Sequence, residues 1–317
     1  MEKGKVTVLG SNGSLGHAAM RAFSDAGWVV QGLGRANREP VAGTQFIAGD
    51  AADLVVLKAA IADSDVVVNG LHLRYDRWGN GRAEAQLQVV IDALAGSGKT
   101  LLFPGTIYNY RASDRIVGPT LRQSAEAPRG EIRIRLETML RKAAASKGFK
   151  VIILRAGDFY GPGQRGDWFE AGMLMDQRKG RLYHLDDLAK RHSWAYLPDL
   201  GRAFVRLAEQ RAQMGSFTNH HFEGHWASHS EIMAAIGKVV PFKPTLAPMP
   251  WWLLRAVGLV NPVMRDIFRM RYLWINEMEL VDPEMSALLG PGFGTPLDVA
   301  VGQTVRDLIG GEHAKAA

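Results

Sequence analysis

Short apolar runs alternate with helical periodicity along the first half of the chain. Residues 5–9 (Lys-Val-Thr-Val-Leu) predict a strand that ends at Gly10. Residues 14–26 place Leu15, Ala18, Ala19, Ala22 and Phe23 on one helical face, and Gly27 stops that helix. Strands are predicted at 28–33 and, more weakly, at 44–48, with a helix at 53–62. The core of 65–69, Val66-Val67-Val68, reads as a strand buried on both faces. A helix at 82–95, a strand at 100–103, a helix at 130–147 and a strand at 150–154 follow. This alternation predicts an α/β fold, a doubly wound parallel sheet with right-handed crossovers. Beyond residue 157 the alternation weakens, and prolines gather at 241–250 and 283–296, so a smaller C-terminal lobe is expected over the sheet edge.

Composition narrows the function. The 317 residues are 47% hydrophobic and 22% charged, which is globular composition. With no cysteine, disulfide frameworks, thiolate metal sites and cysteine nucleophiles are excluded. The net charge of +6 suits an anionic small molecule, and no helix shows a basic face interleaved with aromatics, so no nucleic-acid partner is expected. The start, MEKGKVTVLGSNG, carries no signal-peptide pattern, and no run of ~18 uncharged apolar residues occurs. A cytoplasmic protein without integral membrane association is the expectation.

The sharpest motif is Gly10-Ser11-Asn12-Gly13-Ser14-Leu15-Gly16, directly after the first strand and opening the first helix. Glycine is needed there for the tight turn, for approach of bare backbone to a pyrophosphate, and for helix–strand packing. The helix N-terminus supplies N–H groups and partial positive charge. Gly10, Asn12, Gly13, Ser14, Leu15 and Gly16 are therefore candidate dinucleotide contacts. The second strand ends Gly32-Leu33-Gly34-Arg35 with no carboxylate for a ribose 2′-hydroxyl; Arg35 and Arg38 suit a 2′-phosphate, which favours NADP(H). Asp50 is placed to accept from the adenine amino group. Residues 1–156 are thus expected to be an NADP-binding Rossmann domain, and 157–317 mostly a substrate-binding lobe with some segments returning to the sheet. Gly96-Ser97-Gly98-Lys99-Thr100 looks like the end of a P-loop, but Ala93 stands where that motif needs glycine, and the order is helix then strand. It is read as a turn.

These features resemble the extended short-chain dehydrogenases/reductases, the family of NAD-dependent epimerases and dehydratases. Asp65-Val66-Val67-Val68-Asn69-Gly70, the segment from Leu154-Arg155 to Tyr160-Gly161-Pro162-Gly163, Trp194-Ala195-Tyr196-Leu197-Pro198-Asp199-Leu200, and Thr295-Pro296-Leu297 extend the resemblance over nearly the whole chain. The resemblance implies a Ser/Thr and a Tyr-x-x-x-Lys relay. No Tyr-x-x-x-Lys occurs. Counting back from Glu137, which resembles the glutamate after that motif, Arg133 stands at the Lys position and Arg129 at the Tyr position. Pro104 stands at the Ser/Thr position, with Thr106 the nearest hydroxyl. The chain thus resembles an atypical member. Arg133 is a candidate ribose and phosphate contact, but guanidinium is no proton shuttle.

Ligands sit at the C-terminal ends of parallel strands, so Thr106, Tyr108, His72 and Tyr160 are the candidate catalytic residues. Tyr75 and Trp78 are candidates for stacking a planar substrate. His220, His221, His225 and His229 form the one histidine cluster, broken by Gly224, and no metal site is expected from it. Residues 251–260 (Trp-Trp-Leu-Leu-Arg-Ala-Val-Gly-Leu-Val) are the most apolar stretch; lobe core, a lid over an apolar substrate, a homodimer face and an interfacial membrane contact are its readings. Three functions stay open: an NADPH-dependent reductase of a small-molecule carbonyl substrate, a nucleotide-sugar epimerase or dehydratase with displaced catalytic groups, and a non-catalytic NADP(H) sensor.

Overall fold

The computed structural model describes residues 3–74, 77–163 and 167–316. Its centre is a seven-stranded parallel sheet. The strands are β1 (Lys5–Leu9), β2 (Val29–Gly34), β3 (Gln45–Ala48), β4 (Val66–Asn69), β5 (Thr100–Thr106), β7 (Lys150–Ala156) and β11 (Phe217–His221), in spatial order β11-β7-β5-β4-β1-β2-β3. The order reverses beside β1, so a crevice opens at the C-terminal ends of β1 and β4, where such sheets bind ligands. The helices between strands are α1 (Ser14–Asp25), α2 (Leu54–Ile61), α3 (Arg82–Leu94), α4 (Pro128–Ser146) and α5 (Leu197–Gln210). β4 is buried along its whole length, as its valine run predicts.

One strand departs from its expected bounds. β5 runs on through Pro104 to Thr106. Its pairing with β4 stops at Val68↔Leu102, while pairing with β7 continues to Ala156, so the missing prolyl N–H breaks no bond to β4. In the later part of the chain, β11 pairs parallel with β7, and α5 packs closely on α1.

The rest of the chain forms a lobe of small sheets and short helices. Its strands are β6 (Ile116–Val117), β8 (Asp158–Tyr160), β9 (Arg181–His184), β10 (Arg191–Tyr196), β12 (His225–Ser228), β13 (Thr245–Pro248) and β14 (Glu279–Leu280). Its helices are α6 (His229–Gly237), α7 (Trp251–Val257), α8 (Pro262–Met270), α9 (Tyr272–Ile275), α10 (Pro283–Leu289) and α11 (Leu297–Ala316). An aromatic core that includes Tyr160, Phe169, Trp194, Tyr196 and Trp274 holds it together. Among the described residues no helix is long and apolar enough to cross a membrane.

Candidate functional site

The glycine loop leaves β1 at Gly10, whose φ of +73° excludes ordinary side chains. Its N–H donates to the Leu33 carbonyl at 2.9 Å, which ties the loop to the end of β2. A Cβ on Gly16 would lie 2.3 Å from the Gly10 carbonyl oxygen, so α1 begins pressed against the loop. Gly13 caps α1 without a side chain, and the first turn from Ser14 and Leu15 holds no acidic residue. Those N–H groups and the helix dipole remain for an anion. Ser11 Oγ and Asn69 Oδ1, in the loop and at the end of neighbouring β4, are buried with no hydrogen-bond partner among the described residues. Close backbone, an uncapped helix N-terminus and orphaned polar atoms together fit a dinucleotide.

Asn12 fixes the loop that would select the cofactor. Its amide donates to the Ala36 carbonyl, and its Oδ1 accepts from the Arg38 N–H at 2.9 Å. Arg35 and Arg38 are thereby held beside the glycine loop, both exposed to solvent. Asp50 is exposed, and one carboxylate oxygen accepts from the Ala52 N–H at 3.0 Å in the turn entering α2. Gly96 and Gly98, with φ of +72° and +67°, form the turn between α3 and β5, as read from the sequence.

At the ends of β4 and β5 two arginines gather around Trp78. Arg133 donates from Nη2 to the Pro104 carbonyl, and its guanidinium lies 5.3 Å from the Phe103 ring centre and 5.8 Å from that of Trp78. Arg129, 5% exposed, lies 5.6 Å from the Trp78 ring centre and pairs with Asp266 at 3.1 Å. Trp78 therefore stacks on the protein's own guanidiniums, and its indole N–H donates to the Leu73 carbonyl at 2.7 Å. Its proposed partner Tyr75 lies outside the described residues. His72 meets Trp78 edge-on at 5.5 Å. Although His72 is exposed as a whole, desolvation of its ring against the Trp78 side, and then the charges of Arg133 and Arg129, push its imidazole down to about 4. It is neutral at physiological pH. A cavity of about 30 Å³, lined by residues that include Asn69, His72, Trp78, Phe103 and Arg133, lies here, large enough for water. Thr106 ends β5; its Oγ1 is buried with no hydrogen-bond partner among the described residues. Tyr108 sits half-buried in the turn after β5, and its carbonyl accepts from the Tyr272 hydroxyl at 3.4 Å.

Beneath Thr106 lies a network whose chemistry the sequence did not reveal. Arg155, fully buried, donates to the Thr106 carbonyl at 2.6 Å, to Glu137 at 2.7 Å and to His221 Nε2 at 3.2 Å. Glu137 also accepts from Asn109 at 2.9 Å and Gln123 at 2.6 Å. His221 Nδ1 faces the Val117 carbonyl at 2.9 Å. A nitrogen that faces a carbonyl must donate and one that faces a guanidinium must accept, so His221 is the neutral Nδ1–H tautomer. This network locks the end of β5 against α4, β7 and β11.

Tyr160 is not brought to the cluster around His72 and Arg133. It is fully buried among Phe169, Trp194 and Tyr196, and its hydroxyl meets His225 Nδ1 at 2.8 Å. His225 Nε2 faces the Thr295 carbonyl at 2.7 Å and must donate, so the tyrosine donates to Nδ1. The histidine cluster is dispersed over β11, β12 and α6, and among the described residues no three metal-ligating side chains converge. Asp266, which orients Arg129, was missed: it lies on α8, and nothing local in its sequence marks a partner so distant in the chain.

No curated protein matches the sequence. Solved structures of low identity share the fold. MoeE5, solved with UDP-glucuronic acid and NAD, has a TM-score of 0.77 at 17% identity, covering 97% of this chain and 100% of that one. A UDP-glucose 4-epimerase has a TM-score of 0.77 at 13% identity, covering 96% and 98%. The Bordetella bronchiseptica enzyme WbmH, solved with NAD+, has a TM-score of 0.73 at 17% identity, covering 97% and 99%. The NAD dependent epimerase/dehydratase family is matched over residues 6–222. With the glycine loop, the strand order and that match in place, the chain belongs to the NAD dependent epimerase/dehydratase family.

Proposed function

We propose that the protein binds NADP(H) on the glycine loop and reduces a carbonyl group of a small-molecule substrate without a Tyr/Lys relay. The observation that carries this reading is the pair Arg129 and Arg133, stacked on Trp78 at the end of the sheet. When bound, the nicotinamide supplies the hydride. Hydride addition to a carbonyl builds negative charge on oxygen, and preorganised cations lower that barrier. The two guanidiniums are permanent charges suited to such an oxygen. Thr106 Oγ1 orients it, and neutral His72 donates an N–H to it. Because guanidinium keeps its protons, the alkoxide takes its proton from a water that the adjoining cavity has room for, and the hydroxide left returns to solvent. Tyr108 shapes the rim of this site.

A nucleotide-sugar epimerase is the second reading, favoured by the UDP-glucuronic acid in complex with MoeE5 and by the activity named for the UDP-glucose 4-epimerase. Epimerisation through a ketone begins with removal of a hydroxyl proton, and neither arginine can accept one. His72, held down to about 4, is a weak base for that task.

The test is oxidation of NADPH in the presence of a panel of ketones and aldehydes. The reading expects turnover with some members, lowered about 10²–10³-fold in Thr106→Val, as for loss of a transition-state donor. Tyr160→Phe should alter thermal stability and leave turnover near wild type. Interconversion of UDP-sugars without net NADPH oxidation supports the second reading. Tight NADPH binding with neither reaction means a non-catalytic sensor.

A further inference from the structure

The apolar stretch 251–260 divides between core and surface. Trp251 is 9% exposed, donates from its indole N–H to the Leu185 carbonyl at 2.7 Å, and stacks on Trp274 at 5.7 Å. This anchors α7. The helix then turns back into α8 at Gly258, where a Cβ would lie 3.0 Å from Arg265 Cα. The other face of this hairpin is open: Trp252 is 74%, Leu259 81% and Val260 88% exposed, with Leu253 and Val257 also exposed. Between residues 244 and 271 the chain carries Arg255, Arg265, Arg269 and Arg271 against a single acid, Asp266. Asp266 faces Arg129 and Arg269. Arg255 and Arg265 are exposed beside the apolar tip.

We propose that the α7–α8 hairpin is a docking element for an anionic phospholipid surface, with Trp252, Leu259 and Val260 entering the interface and Arg255 and Arg265 meeting the headgroups. Charge selects this occupant over a second copy of the chain. A twofold dimer through this face would set each arginine-flanked tip against its own image, a meeting of like charges. An anionic bilayer complements both the cations and the apolar tip, and tryptophan favours the membrane interface. The contact is peripheral, and the remainder of the lobe stays in water.

The experiment is sedimentation of the full chain with phosphatidylcholine vesicles made with and without phosphatidylserine. Binding is expected only with phosphatidylserine and should weaken as salt is added. Leu259→Asp/Val260→Asp should lower vesicle affinity more than about tenfold. Arg255→Ala/Arg265→Ala should lower it by about fivefold per charge removed. Both tip positions are exposed, so an unchanged melting temperature certifies the fold; if it falls, Trp252→Gln on the same face replaces that variant. Equal binding to both vesicles, none to either, or binding indifferent to these substitutions overturns the proposal. A wild-type dimer that the tip variant splits, with no vesicle binding, also overturns it and identifies a second copy as the occupant.

Discussion

Arg155→Ala is expected to destabilise the fold by about 3–5 kcal/mol, the cost of breaking a buried ion pair by removing one partner. Arg155 is 0% exposed and Glu137 4% exposed. Burial alone would raise the Glu137 carboxyl, but the charge and hydrogen bond of Arg155 override it and hold the group below its ordinary range. Without the guanidinium, Glu137 is left buried with two amide donors and no cation, and the Thr106 carbonyl and His221 Nε2 lose their donor. At roughly 2–4 °C per kcal/mol, thermal denaturation should show a loss of about 10 °C. Arg155→Lys should recover only part, because an ammonium cannot reproduce the planar fork that reaches all three partners. The double variant Arg155→Met/Glu137→Leu should cost less than the two single changes together, since it strands no charge. A melting shift under about 2 °C for Arg155→Ala would refute the network's role.

Acid should unfold the protein through its buried histidines. Burial, the leading cause in each case, pushes His221 and His229 down to about 4 and His192 down to about 3. In the unfolded chain these groups protonate near 6.5. The stability they confer is present above that value and is lost as pH falls from about 6.5 towards 4, and towards 3 for His192, on the order of 3–5 kcal/mol for each group. Asp158 works in the opposite direction. Burial raises its carboxyl to about 6, so stability is regained as pH falls from about 6 towards its ordinary value. One opposing group does not offset three. The urea midpoint should therefore fall steadily below pH 6.5, and His221→Gln should flatten that fall. A midpoint unchanged between pH 7 and pH 5 would show that these histidines are not held neutral.

The parts of this molecule legible in its sequence are those fixed by neighbours along the chain. The turn at Gly10, the helix opening at Ser14 and the valine run of β4 depend on local sterics and periodicity, and all three lie where the pattern puts them. The spacing of Arg129 and Arg133 from Glu137 was also legible, because the three lie on one helix. What the arginines do was not. Their stacking on Trp78 joins α4 to the loop after β4, and Asp266 reaches Arg129 from a helix of the other lobe. Such contacts are set by packing between segments that no local period links. Tyr160 shows the converse. Its position after a strand suggested a hydroxyl in the crevice, but β8 pairs with β10 in the lobe and carries the ring into an aromatic core.

The cofactor assignment underlies the proposed chemistry, and a fluorescence titration of NADPH and NADH against wild type and Arg35→Ala tests it most directly. NADPH should bind more tightly than NADH, and Arg35→Ala should weaken NADPH binding by about 1–3 kcal/mol, the worth of a hydrogen bond to a charged group, while leaving NADH unaffected. Tighter binding of NADH to the wild type, or an unchanged NADPH affinity in the variant, would contradict the account.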